Sequence, residues 1–222
     1  MANDLFVARL RKLDVCDVSD AIDALDLEPA VTGLFGTGIT KPVAGRAVTV
    51  KFAPGAAPAS TTRHACTGAV EAGGPDDIIV VEQRTGVDGA GWGGILSRAA
   101  KKNGIAGAIV DGPARDIEES DGVGFVVFAR SRTSRTARNR IHETAFQVPI
   151  KFGDLTVTPG DYVSIDRSAC VVIPAARIED VLTRAETIAK KSAEMCAAVD
   201  AGVPVSKVMG GDYEHMLTKK AG

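Results

Sequence analysis

Two short segments constrain this chain most: the uninterrupted apolar run Ile78-Ile-Val-Val81 and a second buried strand, Ala108-Ile-Val-Asp111, apolar up to its last residue. A strand without apolar–polar alternation needs cover on both faces, which is the pattern of a parallel sheet flanked by helices. Between the runs lie a glycine-rich loop, Gly86 to Gly94, a helical stretch, Ile95 to Lys102, and a helix stop at Asn103-Gly104. Strand, loop, helix and strand together predict a βαβ unit in the middle of the chain.

The flanking segments extend this to an α/β fold, a mixed sheet with helices outside. Asn3 to Leu13 carries Leu5, Phe6, Leu10 and Leu13 at helical spacing. A second short helix follows from Asp17, with Asp17 or Ser19 as its cap. Arg46 to Phe52 alternates as a strand does, and residues 59–72 read as a helix ended by Gly73-Gly74-Pro75. After Asp111 the pattern turns β-like, with strands at Phe125–Phe128, Val148–Phe152 and Val171–Pro174. Two hairpin-like strands flank the turn Pro159-Gly-Asp161. The longest helical pattern runs from Ala176 to about Ala201, with Ile178, Val181, Leu182 and Ala185 on one stripe. The tail containing Tyr213-Glu-His-Met-Leu217 is read as folding onto a neighbouring subunit or staying mobile. With 222 residues and no linker or repeat, a single domain is expected, its core at about 15–205 and its tail at 206–222.

Chemistry concentrates in the βαβ unit. Gly89-Ala-Gly-Trp-Gly-Gly94 opens a helix, whose free N–H groups and dipole favour an anion. Asp111-Gly-Pro-Ala-Arg-Asp116 follows the next strand, and loops at the carboxyl ends of adjacent parallel strands line one crevice. Arg115 there suits a carboxylate gripped in two prongs, and Asp116 suits magnesium, a hard cation. The plain alternatives are a surface ion pair or helix cap, and glycines that only make room for packing. Gly89, Gly91 and Gly94 also satisfy GxGxxG, with Asp111 near the place of a ribose acid. Against a dinucleotide site, Glu82 to Asp88 separates the loop from its strand, and no second mononucleotide half follows.

The string from Gly91-Trp-Gly-Gly-Ile-Leu through Val110-Asp-Gly-Pro-Ala-Arg-Asp116 resembles the signature of the RraA-like family, which includes 4-hydroxy-4-methyl-2-oxoglutarate aldolases. Ser19 to Leu25, Gly45 to Val50, Phe128 to Arg130 and Pro159 to Tyr162 extend the likeness. The resemblance implies the swivelling β/β/α fold and assembly as homotrimers or as trimers paired into hexamers. It implies a metal-dependent lyase that cleaves a 4-hydroxy-2-oxo acid to pyruvate and decarboxylates oxaloacetate. Arg115 would bind the pyruvyl group and stabilise its enolate. Asp116 would hold Mg2+ or Mn2+, and Gly93, Gly94 and the amides of Ile95 and Leu96 would receive the substrate carboxylate. No histidine lies near the motif in sequence, so a water on the metal is read as the general base. The aldolases usually carry an acidic residue where this chain has Gly94. Glu82, Asp88 or a subunit-crossing Glu194 could compensate, and Asp111 could support the site from behind. The alternative within the same family is a non-catalytic regulator that binds a ribonuclease.

Other features point elsewhere or nowhere. Net charge is −2, and the arginines at 130, 132, 135, 138 and 140 lack interleaved aromatic residues, so no nucleic-acid partner is expected. They read as a solvated or subunit-facing segment, or as an anion-gathering rim. Cys16, Cys66, Cys170 and Cys196 are widely separated, which fits a reducing compartment and no disulfide framework. No apolar run spans a membrane, and a cytoplasmic location is expected. His64, His142 and His215 show no zinc spacing and read as surface or structural residues, while Trp92 reads as pocket wall.

Overall fold

The computed structural model describes residues 4–27, 30–36 and 41–210. The chain opens with two short helices, α1 (Leu5–Leu10) and α2 (Val15–Ala24), followed by strands β1 (Phe35–Gly36) and β2 (Val43–Pro54). Then α3 (Thr67–Ala72), β3 (Asp77–Glu82), α4 (Gly94–Lys102), β4 (Gly107–Ala114), α5 (Ile117–Gly122) and β5 (Val126–Arg132) alternate. The rest comprises β6 (Ile141–Phe146), β7 (Ile150–Phe152), β8 (Leu155–Val157), β9 (Tyr162–Ile165), β10 (Cys170–Ile173), α6 (Ile178–Asp200) and α7 (Val205–Val208).

The central strands β2, β3, β4 and β5 run parallel, and β1, β6 and β9 join antiparallel, giving the mixed sheet expected. The long β2 is the organiser. One edge pairs with β3 at Arg46–Lys51; the other is shared by β9 at Val43–Arg46 and β6 at Val50–Pro54, with a register shift between Lys51 and Phe52. Such an irregularity bends a strand and sharpens its twist, so β2 serves two diverging sets of partners.

The continuous apolar runs in β3 and β4 bury both faces, as their sequence requires. Ile79, Val81, Ala108 and Val110 lie in the core beneath α3, α4 and α5, whereas Ile78, Val80 and Ile109 lie in the core beneath the β7–β8 hairpin. A third apolar cluster joins α1, α2 and α6 to β9 and β10, with Val181, Leu182, Ala185 and Ile188 on the buried stripe of α6. Each fully buried Leu, Ile or Val contributes about 1.5–3 kcal/mol, so this stripe alone anchors the long helix.

Several sequence expectations are corrected. The first helix ends at Leu10 and is capped by Asp4, whose side chain accepts from the N–H groups of Phe6 and Val7. Asp14, rather than Asp17 or Ser19, caps α2. Residues 59–72 are not one helix: only Thr67–Ala72 is helical, because Cys66 before it takes a left-handed backbone with φ of 67°. The strands flanking Pro159–Asp161 do not pair with each other; β8 pairs β7, and β9 pairs β10 and β2. The short α5 and the strands β1 and β6 are additions, and Tyr213–Leu217 lies outside the described residues.

Candidate functional site

The glycine loop and the Arg-Asp loop are stitched together by backbone. Gly91 N–H donates to the Pro113 carbonyl at 2.9 Å, and Arg115 N–H donates to the Trp92 carbonyl at 3.1 Å. Behind them a buried chain of hydroxyls joins the two following helices. Trp92 Nε1 donates to Ser97 Oγ at 2.9 Å, Ser97 Oγ lies 2.8 Å from Ser120 Oγ, and Ser120 Oγ donates to the Asp116 carbonyl at 3.1 Å. Trp92, buried and stacked on Phe125, forms pocket wall as its place in the loop suggested.

The result is a cavity of about 110 Å³ whose lining includes Trp92, Gly93, Gly94, Ile95, Leu96, Arg115 and Asp116. The structure thus brings the predicted central residues into one pocket. Gly93 caps α4 without a side-chain bond, and the Ile95 and Leu96 N–H groups in its first turn bond no carbonyl among the described residues. They are the orphan donors of a helix start, carrying its positive end. Asp116 Oδ2 accepts from Gly94 N–H at 3.1 Å and from Arg115 Nε at 3.0 Å. Burial pushes the Asp116 carboxyl up, but the Gly94 N–H and the Arg115 guanidinium outweigh it and hold the group below the ordinary carboxylate range. Its backbone is left-handed, with φ of 56°, a conformation costly for a residue other than glycine. Arg115 uses Nε for this contact, and its two terminal nitrogens make no hydrogen bond among the described residues.

Sequence reasoning missed Glu119. A Cβ built on Gly94 would fall 2.2 Å from Glu119 Oε2 and 3.1 Å from Asp116 Cβ, so the Glu119 carboxylate occupies the space a side chain at 94 would take. The signal was available: Glu119 is three residues beyond Asp116 on a helical turn, which places both on one side. Glu119 also lies 3.5 Å from Arg98.

Four other residues fall elsewhere. Asp111 does not line the pocket. It is 6% exposed and accepts from Arg130 Nε and Gly153 N–H, each at 2.7 Å, beside the β7–β8 hairpin. Strand alternation and the register shift between Val110 and Pro113 send it away from Asp116. Glu194 is exposed on α6, a helix packed on α2, and is absent from this chain's pocket. Glu82 accepts from Lys151 N–H, and Asp88 pairs with Arg135 at 3.3 Å.

The basic segment divides in the same way. Arg130 braces Asp111 and Arg135 braces Asp88, Arg140 bonds the carbonyls of Thr136 and Arg138, and Arg132 flanks Arg115 from outside the pocket. One histidine is placed differently from expectation: His64 lines the pocket with Arg115 and Asp116 although 51 positions separate it from Arg115. His142 is at the surface, with Nδ1 3.2 Å from the Gly55 carbonyl, and His215 lies outside the described residues.

Among the described residues no group of three or more His, Cys, Asp or Glu is placed to hold a metal. That set is wrong for structural zinc, which takes four nitrogen or sulfur ligands. The neighbouring carboxylates of Asp116 and Glu119 fit a magnesium-type ion, which is held by one or two carboxylates and keeps several waters. No described helix is long and apolar enough to cross a membrane.

Comparison with known proteins agrees with the fold. A protein from Pseudomonas syringae pv. tomato superposes with a TM-score of 0.81 at 27% identity, covering 93% of this chain and 97% of that one. A candidate 4-hydroxy-4-methyl-2-oxoglutarate aldolase of Halalkalibacterium halodurans is 32% identical over 195 residues, 85% of this chain and 84% of that protein. Protein DlpA of Legionella pneumophila is 25% identical over 186 residues, and the match spans only 30% of its length. The RraA-like profile, described as Aldolase/RraA, matches residues 15–172, and on that span the chain belongs to the RraA-like family.

Proposed function

We propose that this chain is a carbon–carbon lyase acting on small 2-oxo acids, cleaving a 4-hydroxy-2-oxo acid to pyruvate and decarboxylating oxaloacetate. One observation carries the reading: helix-start amides and guanidinium nitrogens with no hydrogen bond among the described residues line one small cavity together with a depressed carboxylate. The family description joins aldolases with RraA, so membership alone does not select between chemistry and regulation. A purely protein-binding surface has no need of a left-handed Asp116 beside a guanidinium inside a pocket.

The chemistry follows from charge. The Ile95 and Leu96 N–H groups receive the substrate carboxylate, and Arg115 faces the keto oxygen. Breaking the bond beyond C3 leaves an enolate, whose charge grows where Arg115 and the helix end already concentrate positive potential. The Asp116 and Glu119 carboxylates would hold a divalent cation, Mg2+ or Mn2+, which when bound supplies further positive charge to the same oxygens. Arg115 also keeps Asp116 ionised and oriented. The ligand chemistry is that of a small anion, and a homo-oligomer is the proposed assembly.

The test is a coupled pyruvate assay over a panel of acyclic 2-oxo acids, including oxaloacetate, with magnesium or manganese and again with a chelator. Chelator-sensitive pyruvate release supports the reading. Absence of turnover across the panel would leave the regulatory alternative.

A further inference from the structure

We propose that His64 is the general base of the aldol cleavage, a role that rests on the lyase reading. Sequence distance hid it, because His64 reaches the pocket from the loop between β2 and α3. That loop is fixed on three sides. Thr67 Oγ1 donates to the His64 carbonyl at 2.7 Å, Cys66 N–H donates to Glu143 Oε2 at 2.6 Å, and Cys66 Sγ donates to the Gly91 carbonyl at 3.6 Å. The last contact ties the loop to the glycine loop that forms the anion end of the pocket.

The exposed His64 ring has Nδ1 3.0 Å from the Ala65 carbonyl, an oxygen that can only accept, so this contact requires the tautomer with the proton on Nδ1. In the neutral ring Nε2 is then the basic nitrogen, the arrangement of an oriented general base. In the lining Asp116 Oδ2 already accepts from Gly94 and Arg115, and in the adjoining cavity Glu143 Oε2 accepts from Cys66. His64 and Ala65 also line an adjoining cavity of about 420 Å³ bordered by Arg63, Arg138, His142 and Glu143. His64 therefore stands where the pyruvyl pocket opens outward. With the substrate carboxylate on the Ile95 and Leu96 amides and its keto oxygen at Arg115, we place the C4 end in that opening.

The step balances on the substrate alone. Nε2 takes the C4 hydroxyl proton, the O–H pair forms the new C4 carbonyl, and the C3–C4 bonding pair moves into the enolate. The proton then passes from the imidazolium to C3, giving pyruvate and neutral His64. Decarboxylation of oxaloacetate reaches the same enolate by losing carbon dioxide, with no hydroxyl proton to remove, and its enolate can be protonated by water.

That difference supplies the test. His64→Gln and wild type are assayed in parallel for cleavage of a 4-hydroxy-2-oxo acid and for oxaloacetate decarboxylation, with magnesium. The ratio of cleavage to decarboxylation should fall by about 100-fold or more, the usual contribution of a positioned base. A ratio within about threefold of wild type, whether both rates hold or both fall together, overturns the role of His64 and leaves the lyase reading standing. If wild type turns over neither substrate, the lyase reading itself fails and the base assignment falls with it.

Discussion

Two arginine–aspartate pairs sit at the end of β4, and they are built to opposite specifications. Asp111 is 6% exposed and receives Arg130 Nε, the Gly153 N–H and, at 3.5 Å, Arg84 Nε. Asp116 is about a third exposed, left-handed, and paired with a cavity-lining arginine whose two terminal nitrogens make no hydrogen bond among the described residues. A carboxylate with its lone pairs filled by protein donors tethers a hairpin to a sheet. One left with spare capacity beside a cavity can take a ligand. The same dipole of charges is structural in one place and chemical in the other, and the number of uncommitted donors and acceptors decides which.

Substitutions can break that contrast. The largest effect is expected for Arg115→Ala: pyruvate release should fall by about 100-fold or more, as for loss of a donor to a developing oxyanion. Its Tm should stay within about 2 °C of wild type, since a solvent-exposed pair adds little stability. Asp111→Ala should do the reverse. Leaving Arg130 and the Gly153 amide without their partner costs about 3 kcal/mol, read as a Tm lower by roughly 10 °C, while per-molecule activity of the folded fraction holds. A large activity loss without destabilisation at Asp111 would erase the distinction between the pairs.

Gly94→Ala sharpens the ligand side. The new Cβ needs the volume of the Glu119 carboxylate, the far end of a flexible side chain, so the fold should survive and the carboxylate should move. Magnesium affinity by calorimetric titration should weaken by about tenfold, the scale of a disturbed ligand environment. The smallest effect is expected far from either pair, at Asp20. Burial first, then the carboxylates of Asp17 and Asp23, push its carboxyl up. Its folded pKa exceeds its unfolded one, so its stabilising contribution is present at acid pH and lost as pH rises through the folded value. Asp20→Asn should therefore raise Tm at pH 7 by about 1–2 °C, with the gain vanishing below about pH 4.

Much of this was legible in the sequence because its causes are local. The apolar runs in β3 and β4 announce burial on both faces, and glycines before an amphipathic helix announce an open helix start. The pocket's central residues were reachable because the βαβ connection forces the two loops together. What could not be read depends on tertiary geometry. Strand parity and a register shift decide that Asp111 and Asp116 part company, although both lie in one hexapeptide. The left-handed Cys66, held by Glu143 from a strand 77 positions away, ends the supposed helix before Thr67 and swings His64 into the pocket. Glu119 stands between the two cases: its spacing of three from Asp116 was readable, but only the packing at Gly94 shows which space its carboxylate fills.

The double-sided pairing of β2 has a consequence for how this protein is made. Its two antiparallel partners, Ile141–Phe146 and Tyr162–Ile165, are translated long after Val43–Pro54 has left the ribosome. One border of that strand therefore waits bare while the stretch from position 55 to position 140 and beyond is still being polymerised, a window in which chaperone cover or fast elongation would protect it from sticking to other nascent chains.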